Sequence, residues 1–306
     1  MYYFDDSLDT FRSTSQISDR LTKTRLLSRV YSYTEWIKIL GPDGNDNETK
    51  VLCEFAKKHY VRGYILDTLS PDMVGPTVRF TRPVRISTPI NDSVAKNIVP
   101  CTKQLKLCEC NPKLIIGISM YTLSGAMKDQ TIYNFEELND VVDFYEIKTN
   151  QLNTICNPNL YNGLTPITKT DTKDPNYLYS MEEVASHLIE TKICRTKIIY
   201  DIDIYPINIK SKTYSSYSQV CKGKFKNSSW CVQTSKDFYN KGKFAHDQKS
   251  GINVVILDLD DINNDCECNT TFNGFKNIIA GFTAMVVNMH QVQSLTFNHI
   301  TIQLNN

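Results

Sequence analysis

Residues 180–204, SMEEVASHLIETKICRTKIIYDIDI, place a helix and a strand in direct succession. Ser180 followed three residues later by Glu183 is a capping box, which marks the first turn of a helix. The apolar spacing carries that helix to about Lys192. From Ile198 to Ile204 apolar residues alternate with aspartates, which is the period of a β-strand. The stretch therefore predicts one α–β unit in the second half of the chain.

Further elements follow from the same two periods on either side of this unit. Helices are expected at 26–40, at 51–60, from 134 onward and at 274–290, and strands at 78–86, 113–123, 253–260 and 295–304. Pro83 has no backbone N–H to donate to the hydrogen bonds of a central strand, so the strand around it is expected at a sheet edge. These elements predict an α+β fold, with an N-terminal helical pair, a mixed and largely antiparallel β-sheet, and a C-terminal α+β half.

The proline distribution suggests where the chain divides. Residues 156–178 contain three prolines and little periodicity. We therefore expect an N-terminal helical and β region at 1–160, a linker or long loop at 161–178, and a C-terminal α+β region at 179–306. A single composite domain is the alternative.

The balance of charged residues limits the kinds of partner that the chain is expected to bind. The 306 residues include 34 basic and 33 acidic side chains, so no global field favours nucleic acid or a membrane. No run approaches the roughly 20 apolar residues of a membrane span, and residues 1–6 lack the features of a secretory signal. We expect synthesis in the cytoplasm or nucleus, location there or in a virus particle, and ten mostly reduced cysteines.

A lysine and aromatic segment is the most distinctive local feature. Lys210–Lys249 contains nine lysines against two aspartates, with aromatic residues between them. Lysines neutralise phosphates and aromatic rings stack on bases, so the segment is a candidate polyanion or contact surface. Its candidate residues are Lys222, Lys224, Lys226, Trp230, Lys241 and Lys243. It contains no arginine, and a solvated hairpin with its aromatics folded inward is the alternative.

The tetrapeptide Cys-Glu-Cys-Asn occurs twice, at 108–111 and 266–269. The candidate disulfide or metal ligands are Cys108, Cys110, Cys266 and Cys268. A four-thiolate zinc site is one interpretation, although paired zinc ligands usually lie further apart in sequence. Unpaired thiols and cross-linking disulfides are the others. We expect no cofactor, with zinc or Mg²⁺ as the alternatives.

Two Asp-X-Asp pairs stand at predicted strand ends, Asp201 with Asp203 and Asp258 with Asp260. Alternation puts both carboxylates of a pair on one face, where two pairs together could hold Mg²⁺ for phosphoryl transfer. The first pair resembles the first motif of archaeo-eukaryotic primases and polymerases, which implies metal-binding aspartates. The resemblance covers under a tenth of the chain, and the small residue that the family's histidine element requires is replaced by Phe244, two positions before His246.

No common catalytic motif accompanies these features. The sequence contains no G-x-S-x-G elbow, Walker loop, G-x-G-x-x-G or H-E-x-x-H. The basic block at 210–249 and the acidic block at 258–267 could dock neighbouring copies. We therefore expect a non-enzymatic structural or assembly protein that self-associates or binds other subunits, such as a capsid-like viral component or an intracellular lattice protein. The alternatives are a metal-dependent phosphoryl-transfer enzyme and a nucleic-acid-binding module.

Overall fold

The computed structural model describes fifteen ranges of the chain. They are residues 2–3, 26–30, 33–40, 47–59, 61–67, 92–110, 113–121, 133–150, 152–153, 156–170, 177–211, 213–222, 229–266, 270–283 and 300–302. The chain divides into two compact units. The first unit comprises Met1–Met73, Ile86–Tyr121 and Asp129–Glu146, and the second comprises Val74–Arg85, Thr122–Lys128 and Ile147–Asn306.

In the first unit, strands alternate with helices. The elements are β1 (Tyr2–Tyr3), β2 (Leu26–Val30), α1 (Tyr33–Ile39), α2 (Asn47–His59), β3 (Gly63–Asp67), α3 (Asp92–Lys106), β4 (Ile115–Tyr121), α4 (Phe135–Val141) and β5 (Phe144–Lys148). The strands lie in the order β1-β2-β3-β4-β5, and the pairs β1–β2, β2–β3 and β3–β4 are parallel. The last two residues of β5 belong to the second unit.

The second unit repeats this alternation. Its elements are α5 (Met181–Ile189), β6 (Ile198–Asp203), β7 (Ile207–Asn208), α6 (Tyr217–Cys221), β8 (Trp230–Cys231), α7 (Ser235–Asp247), β9 (Gly251–Val255), α8 (Asn273–Thr283) and β10 (Ile300–Ile302). Strands β6, β9 and β10 are parallel neighbours in that order. Strands β7 and β8 form a separate antiparallel pair.

The expectation of an α+β fold with a mixed, largely antiparallel sheet is therefore wrong. A chain that returns through a helix after a strand starts its next strand in the same direction, which gives an α/β sheet of parallel strands. The N-terminal helical pair is wrong in its first member, because residues 26–30 form β2 and pair with β3 from Leu26–Gly63 onward. The apolar spacing that predicted one helix is shared by a strand and the short helix α1.

Other local predictions are confirmed. Ser180 forms the predicted capping box with Glu183 at the start of α5, and the Asn134 side chain caps α4. Strands occur within the predicted ranges 113–123, 198–204 and 295–304. The predicted edge strand at 78–86 lies outside the described residues. Within the described ranges, no helix combines the length and the apolar character that crossing a membrane requires.

Helices α7 and α8 pack at very short range through two glycines. A Cβ atom added to Gly242 would lie 1.9 Å from the backbone oxygen of Ile278, and one added to Gly281 would lie 1.9 Å from the backbone oxygen of Tyr239. A carbonyl oxygen that belongs to a helix cannot swing away as a side chain can. The absence of a side chain at both positions is therefore what permits this approach.

We expect Gly242→Ala to lower the free energy of unfolding by about 1–3 kcal/mol, because overpacking outweighs the gain in helix propensity. Urea unfolding followed by circular dichroism measures the change. Lys236→Ala, at an exposed position of the same helix, is the matched control and should leave stability nearly unchanged. A stabilised Gly242→Ala protein would contradict this packing.

Candidate functional site at the ends of strands β6 and β9

The candidate site lies where two neighbouring parallel strands end. Asp203, the last residue of β6, is the register partner of Val255, the last residue of β9. In parallel α/β folds, ligands bind outside the carboxyl ends of the strands, where the loops to the following helices begin. Polar side chains gathered at these two ends are therefore candidates for function.

A buried ion pair occupies the end of β6. The Nζ atom of Lys241, on α7, lies 2.5 Å from one carboxylate oxygen of Asp203, and both side chains are 0% exposed. The other carboxylate oxygen accepts a 2.8 Å hydrogen bond from Nε2 of Gln233. The Tyr161 hydroxyl donates to Oε1 of Gln233 at 3.0 Å. The Tyr217 hydroxyl donates to the backbone oxygen of Gln233, also at 3.0 Å. These contacts make one connected polar network.

The two phenols of this network remain neutral donors. Burial, followed by the negative charge of Asp203, raises the pKa of the Tyr161 hydroxyl above its ordinary range. Burial also raises the pKa of Tyr217, with a further contribution from the charges of Asp260 and Asp203. Both hydroxyls therefore keep their protons at physiological pH and continue to donate to Gln233.

Asp201 lies two residues before Asp203 and is also buried. Its Oδ1 atom accepts a 2.8 Å hydrogen bond from Nδ2 of Asn253, its register partner on β9. The Asp201 backbone oxygen accepts another hydrogen bond from the Thr149 hydroxyl. Asp201 thus contacts the neighbouring strand and Asp203 contacts a helix.

The second Asp-X-Asp pair lies beyond its strand. Strand β9 stops at Val255, and Ile256 has a φ of 59°, a left-handed conformation that is strained for a β-branched residue. Asp258 is exposed on the short 3₁₀ turn that follows. Asp260 is buried, and its carboxylate contacts the first turn of α8. Asp201 and Asp203 therefore lie on a strand, whereas Asp258 and Asp260 do not.

Asp260 acts as an acceptor for backbone donors. Its carboxylate accepts hydrogen bonds from the N–H groups of Gly274 and Phe275 in the first turn of α8. Burial raises the pKa of this carboxyl, and the backbone hydrogen bonds oppose the rise. The raised pKa means that the folded protein favours the protonated form of Asp260. The contribution of this carboxyl to the stability of the folded state is therefore present below its ordinary pKa. It is lost as the pH rises through the raised pKa.

An exposed aromatic ring lies in the loop after β6. The Tyr214 side chain is 51% exposed, and its ring lies 5.3 Å, centroid to centroid, from that of the buried Tyr205. The loop is held by an antiparallel bridge between Ile207 and Tyr214 and by a hydrogen bond from the Ser215 N–H to the Pro206 oxygen. Tyr214 is therefore presented to solvent on an ordered support.

The lysines of the segment Lys210–Lys249 are placed in different surroundings. Lys241 is in the buried ion pair described above, and Trp230 is buried on β8. Lys222 is exposed and pairs with Asp265, and Lys243 pairs with Asp247. Lys224 and Lys226 lie outside the described residues. The Lys222–Asp265 pair shows that the basic and acidic blocks contact each other within one chain, and polyanion contact through the exposed lysines stays a prediction.

Six cysteines form three disulfides, whereas the sequence favoured reduced thiols. The pairs are Cys53–Cys108, Cys156–Cys231 and Cys221–Cys266. Cys108 and Cys266, from the two Cys-Glu-Cys-Asn copies, are thus each joined to a cysteine of their own unit. Cys110 remains a thiol, and Cys268 lies outside the described residues.

Several residues of this site were not candidates from the sequence, among them Tyr161, Gln233 and Tyr214. Tyr161 lies at the start of the stretch 161–178, which the proline content assigned to a linker or long loop. Gln233 directly precedes Thr234, which forms a capping box at the start of α7. The Thr234–Asp237 spacing was therefore the sequence signal that the backbone at Gln233 is held in place by a helix start. Tyr214 lies within the lysine and aromatic segment Lys210–Lys249, but it was not among the candidate residues of that segment.

Solved structures of chitinases and chitinase-like proteins share the fold of this chain. A mutant of the Ostrinia furnacalis group II chitinase catalytic domain 2, in complex with penta-N-acetylchitooctaose, matches 92% of this chain and 83% of its own, with 12% identity and a TM-score of 0.67. Human YKL-39, described as a pseudo-chitinase with retained chitooligosaccharide binding properties, matches 92% of this chain and 86% of its own, with 13% identity and a TM-score of 0.64. A Rhizomucor miehei chitinase matches 90% of this chain and 87% of its own, with 14% identity and a TM-score of 0.60.

These likenesses show the fold alone, a TIM barrel that the chain shares with chitinases and chitinase-like proteins. No protein-family model matches the chain, and no protein of curated function matches it in sequence. The expectation of a self-associating structural or assembly protein, capsid-like or viral, is wrong, because the shared fold belongs to chitinases and chitooligosaccharide-binding relatives. The opposite charge blocks that suggested docking between copies are in contact within the chain.

We expect Lys241→Met to lower the free energy of unfolding by about 3–5 kcal/mol, because Asp203 would become a buried charge without its counter-ion. Adding Asp203→Asn should recover part of the loss, since the double variant buries no charge. Chemical denaturation of the two single variants and the double variant measures the coupling. Lys243→Met, which removes an exposed pair on the same helix, is the control and should change stability little. Equal effects of Lys241→Met and Lys243→Met would refute a special role of the buried pair.

Proposed function

We propose that this protein binds chitooligosaccharides, which are oligomers of N-acetylglucosamine, at the carboxyl ends of strands β6 and β9 and does not hydrolyse them. The observation that carries the proposal is that both carboxylate oxygens of Asp203, at the end of β6, are bound to the buried donors Lys241 and Gln233. Two further considerations, the fold and the exposed Tyr214 ring, support binding.

The fold supports a carbohydrate ligand. Structures of this fold include chitinases, a chitinase complex with penta-N-acetylchitooctaose, and a pseudo-chitinase that retains chitooligosaccharide binding. In TIM barrels, the loops after the strands form the site, and this chain places an ordered tyrosine in the loop after β6. Aromatic rings with one exposed face are suited to pack on the apolar face of a sugar ring, and Tyr214 has such a ring.

The carboxyl groups of the second unit argue against hydrolysis. Breaking a glycosidic bond requires a carboxylic acid that gives a proton to the leaving oxygen. Asp201 and Asp203 accept hydrogen bonds from side chains of their own chain, and Asp260 accepts them from backbone N–H groups. Asp261 likewise accepts backbone hydrogen bonds from Asp265 and Cys266. Each of these buried carboxyl groups is therefore engaged by groups of its own chain, and both oxygens of Asp203 are occupied by Lys241 and Gln233.

The test combines calorimetric titration with product analysis. We expect the N-acetylglucosamine pentamer to bind saturably, and cellopentaose, which has the same sugar backbone without acetamido groups, to bind more weakly. Mass spectrometry after long incubation between pH 4 and 8 should detect no shorter oligomers. Tyr214→Ala should weaken binding by about 2–10-fold, the magnitude of one aromatic contact.

Tyr239→Ala, an exposed tyrosine on α7, is the matched control and should leave affinity unchanged. Release of shorter oligomers in proportion to protein concentration would show that the protein is a hydrolase and would contradict the proposal. Failure of the pentamer to bind would remove carbohydrate binding altogether. An equal loss of affinity in the two tyrosine variants would remove Tyr214 from the site.

A further inference from the structure

Three sulfur atoms meet in the first unit, separate from the residues of the proposed binding site. The Sγ atoms of Cys53, Cys108 and Cys110 all lie within 4.8 Å of one another. Cys53, on α2, and Cys108, just after α3, form a disulfide, and Cys110 remains a thiol. The Sγ atom of Cys110 lies 3.0 Å from that of Cys108.

The backbone creates this contact. The N–H of Cys110 donates a 2.7 Å hydrogen bond to the backbone oxygen of Cys108, which closes a three-residue turn around Glu109. Cys108 has no S–H because it is in a disulfide, so the thiol of Cys110 is the donor in the sulfur contact. Deprotonation of that thiol therefore leaves a thiolate facing a disulfide sulfur, which is the arrangement from which thiol–disulfide exchange proceeds.

The three cysteines differ in burial, and the buried one has two partly exposed neighbours as possible disulfide partners. Cys108 is buried, whereas Cys53 and Cys110 are partly exposed. A disulfide between Cys108 and either partner leaves the other partner as a partly exposed thiol. The central sulfur can thus change its partner without being exposed to solvent.

We propose that Cys110 exchanges with the Cys53–Cys108 disulfide and thereby makes Cys53 a modification site for small thiol-reactive electrophiles. The Cys110 thiolate attacks Sγ of Cys108, the Cys108–Cys110 bond forms, and the Cys53–Cys108 bond breaks. The electron pair leaves on Sγ of Cys53, which takes up the proton that Cys110 gave to solvent. The step is an isomerisation and consumes no oxidant or reductant.

The exchange changes what the disulfide holds together. The Cys53–Cys108 bond joins residues 55 positions apart and ties α2 to the end of α3. The Cys108–Cys110 bond would span only two positions and would leave α2 without a covalent link to that segment. The thiol on α2 is then accessible to an alkylating reagent.

The experiment alkylates the full-length native protein with iodoacetamide in the absence of reductant. Samples are quenched in acid, digested with pepsin at low pH to prevent scrambling, and mapped by mass spectrometry. We expect one population with alkylated Cys110 and the Cys53–Cys108 disulfide, and a second with alkylated Cys53 and the Cys108–Cys110 disulfide. The second should accumulate faster in more alkaline buffer, because the thiolate is the attacking species.

Cys110→Ser should abolish alkylation of Cys53, and Cys194→Ser, which removes another partly exposed cysteine outside the disulfides, should leave it unchanged. Alkylation confined to Cys110 in the wild-type protein at every pH would overturn the proposal, and so would Cys53 alkylation that persists in Cys110→Ser. The wild-type peptide map decides the question even where a variant folds poorly. The outcome is independent of carbohydrate binding.

Discussion

The buried ion pair between Lys241 and Asp203 is the interaction on which the second unit depends. Removing two charges from water costs several kcal/mol per ion, and the cost is recovered only with close geometry and additional hydrogen bonds. Gln233 provides one of these by donating to the second carboxylate oxygen. Because Lys241 projects from α7 and Asp203 ends β6, the pair fixes the rotation and register of the helix relative to the strand. Gly242, the next residue, then sets the close approach of α8.

The same pair limits the chemistry available at the strand end. A catalyst must interact more strongly with the transition state than with the bound substrate. A carboxylate whose two oxygens are bound by donors of its own chain has little capacity left for the positive charge that develops on a sugar ring. Binding has weaker requirements, since an exposed ring and hydrogen-bond partners suffice to hold a ligand. A fold shared with chitinases is therefore compatible with a protein that binds a sugar chain without cleaving it.

The sequence predicted local elements better than their arrangement. The capping residues Ser180 and Asn134 specify helix starts through contacts with residues three positions away, so both helix starts could be predicted from the local sequence. Strand direction depends on pairs such as Leu26–Gly63, which are distant in sequence and leave no local signal. Asp203 was identified as a candidate, but its partner Lys241 was assigned to a basic surface. The one available signal was that Lys241 shares the buried face of α7 with Phe238 and Ala245.

In each Cys-Glu-Cys-Asn copy, the first cysteine forms a disulfide with a partner that the local sequence does not specify. The backbone turn that brings Cys110 to Cys108 is local, but the disulfide partner of each copy is supplied by a distant element. In the first copy that element is α2, which packs against α3 and brings Cys53 to Cys108. In the second copy it is the end of α6, where Cys221 meets Cys266. Tertiary packing rather than the tetrapeptide therefore determines the disulfide partners of Cys108 and Cys266. In the first copy, the turn and the helix contact together bring three sulfur atoms close to one another.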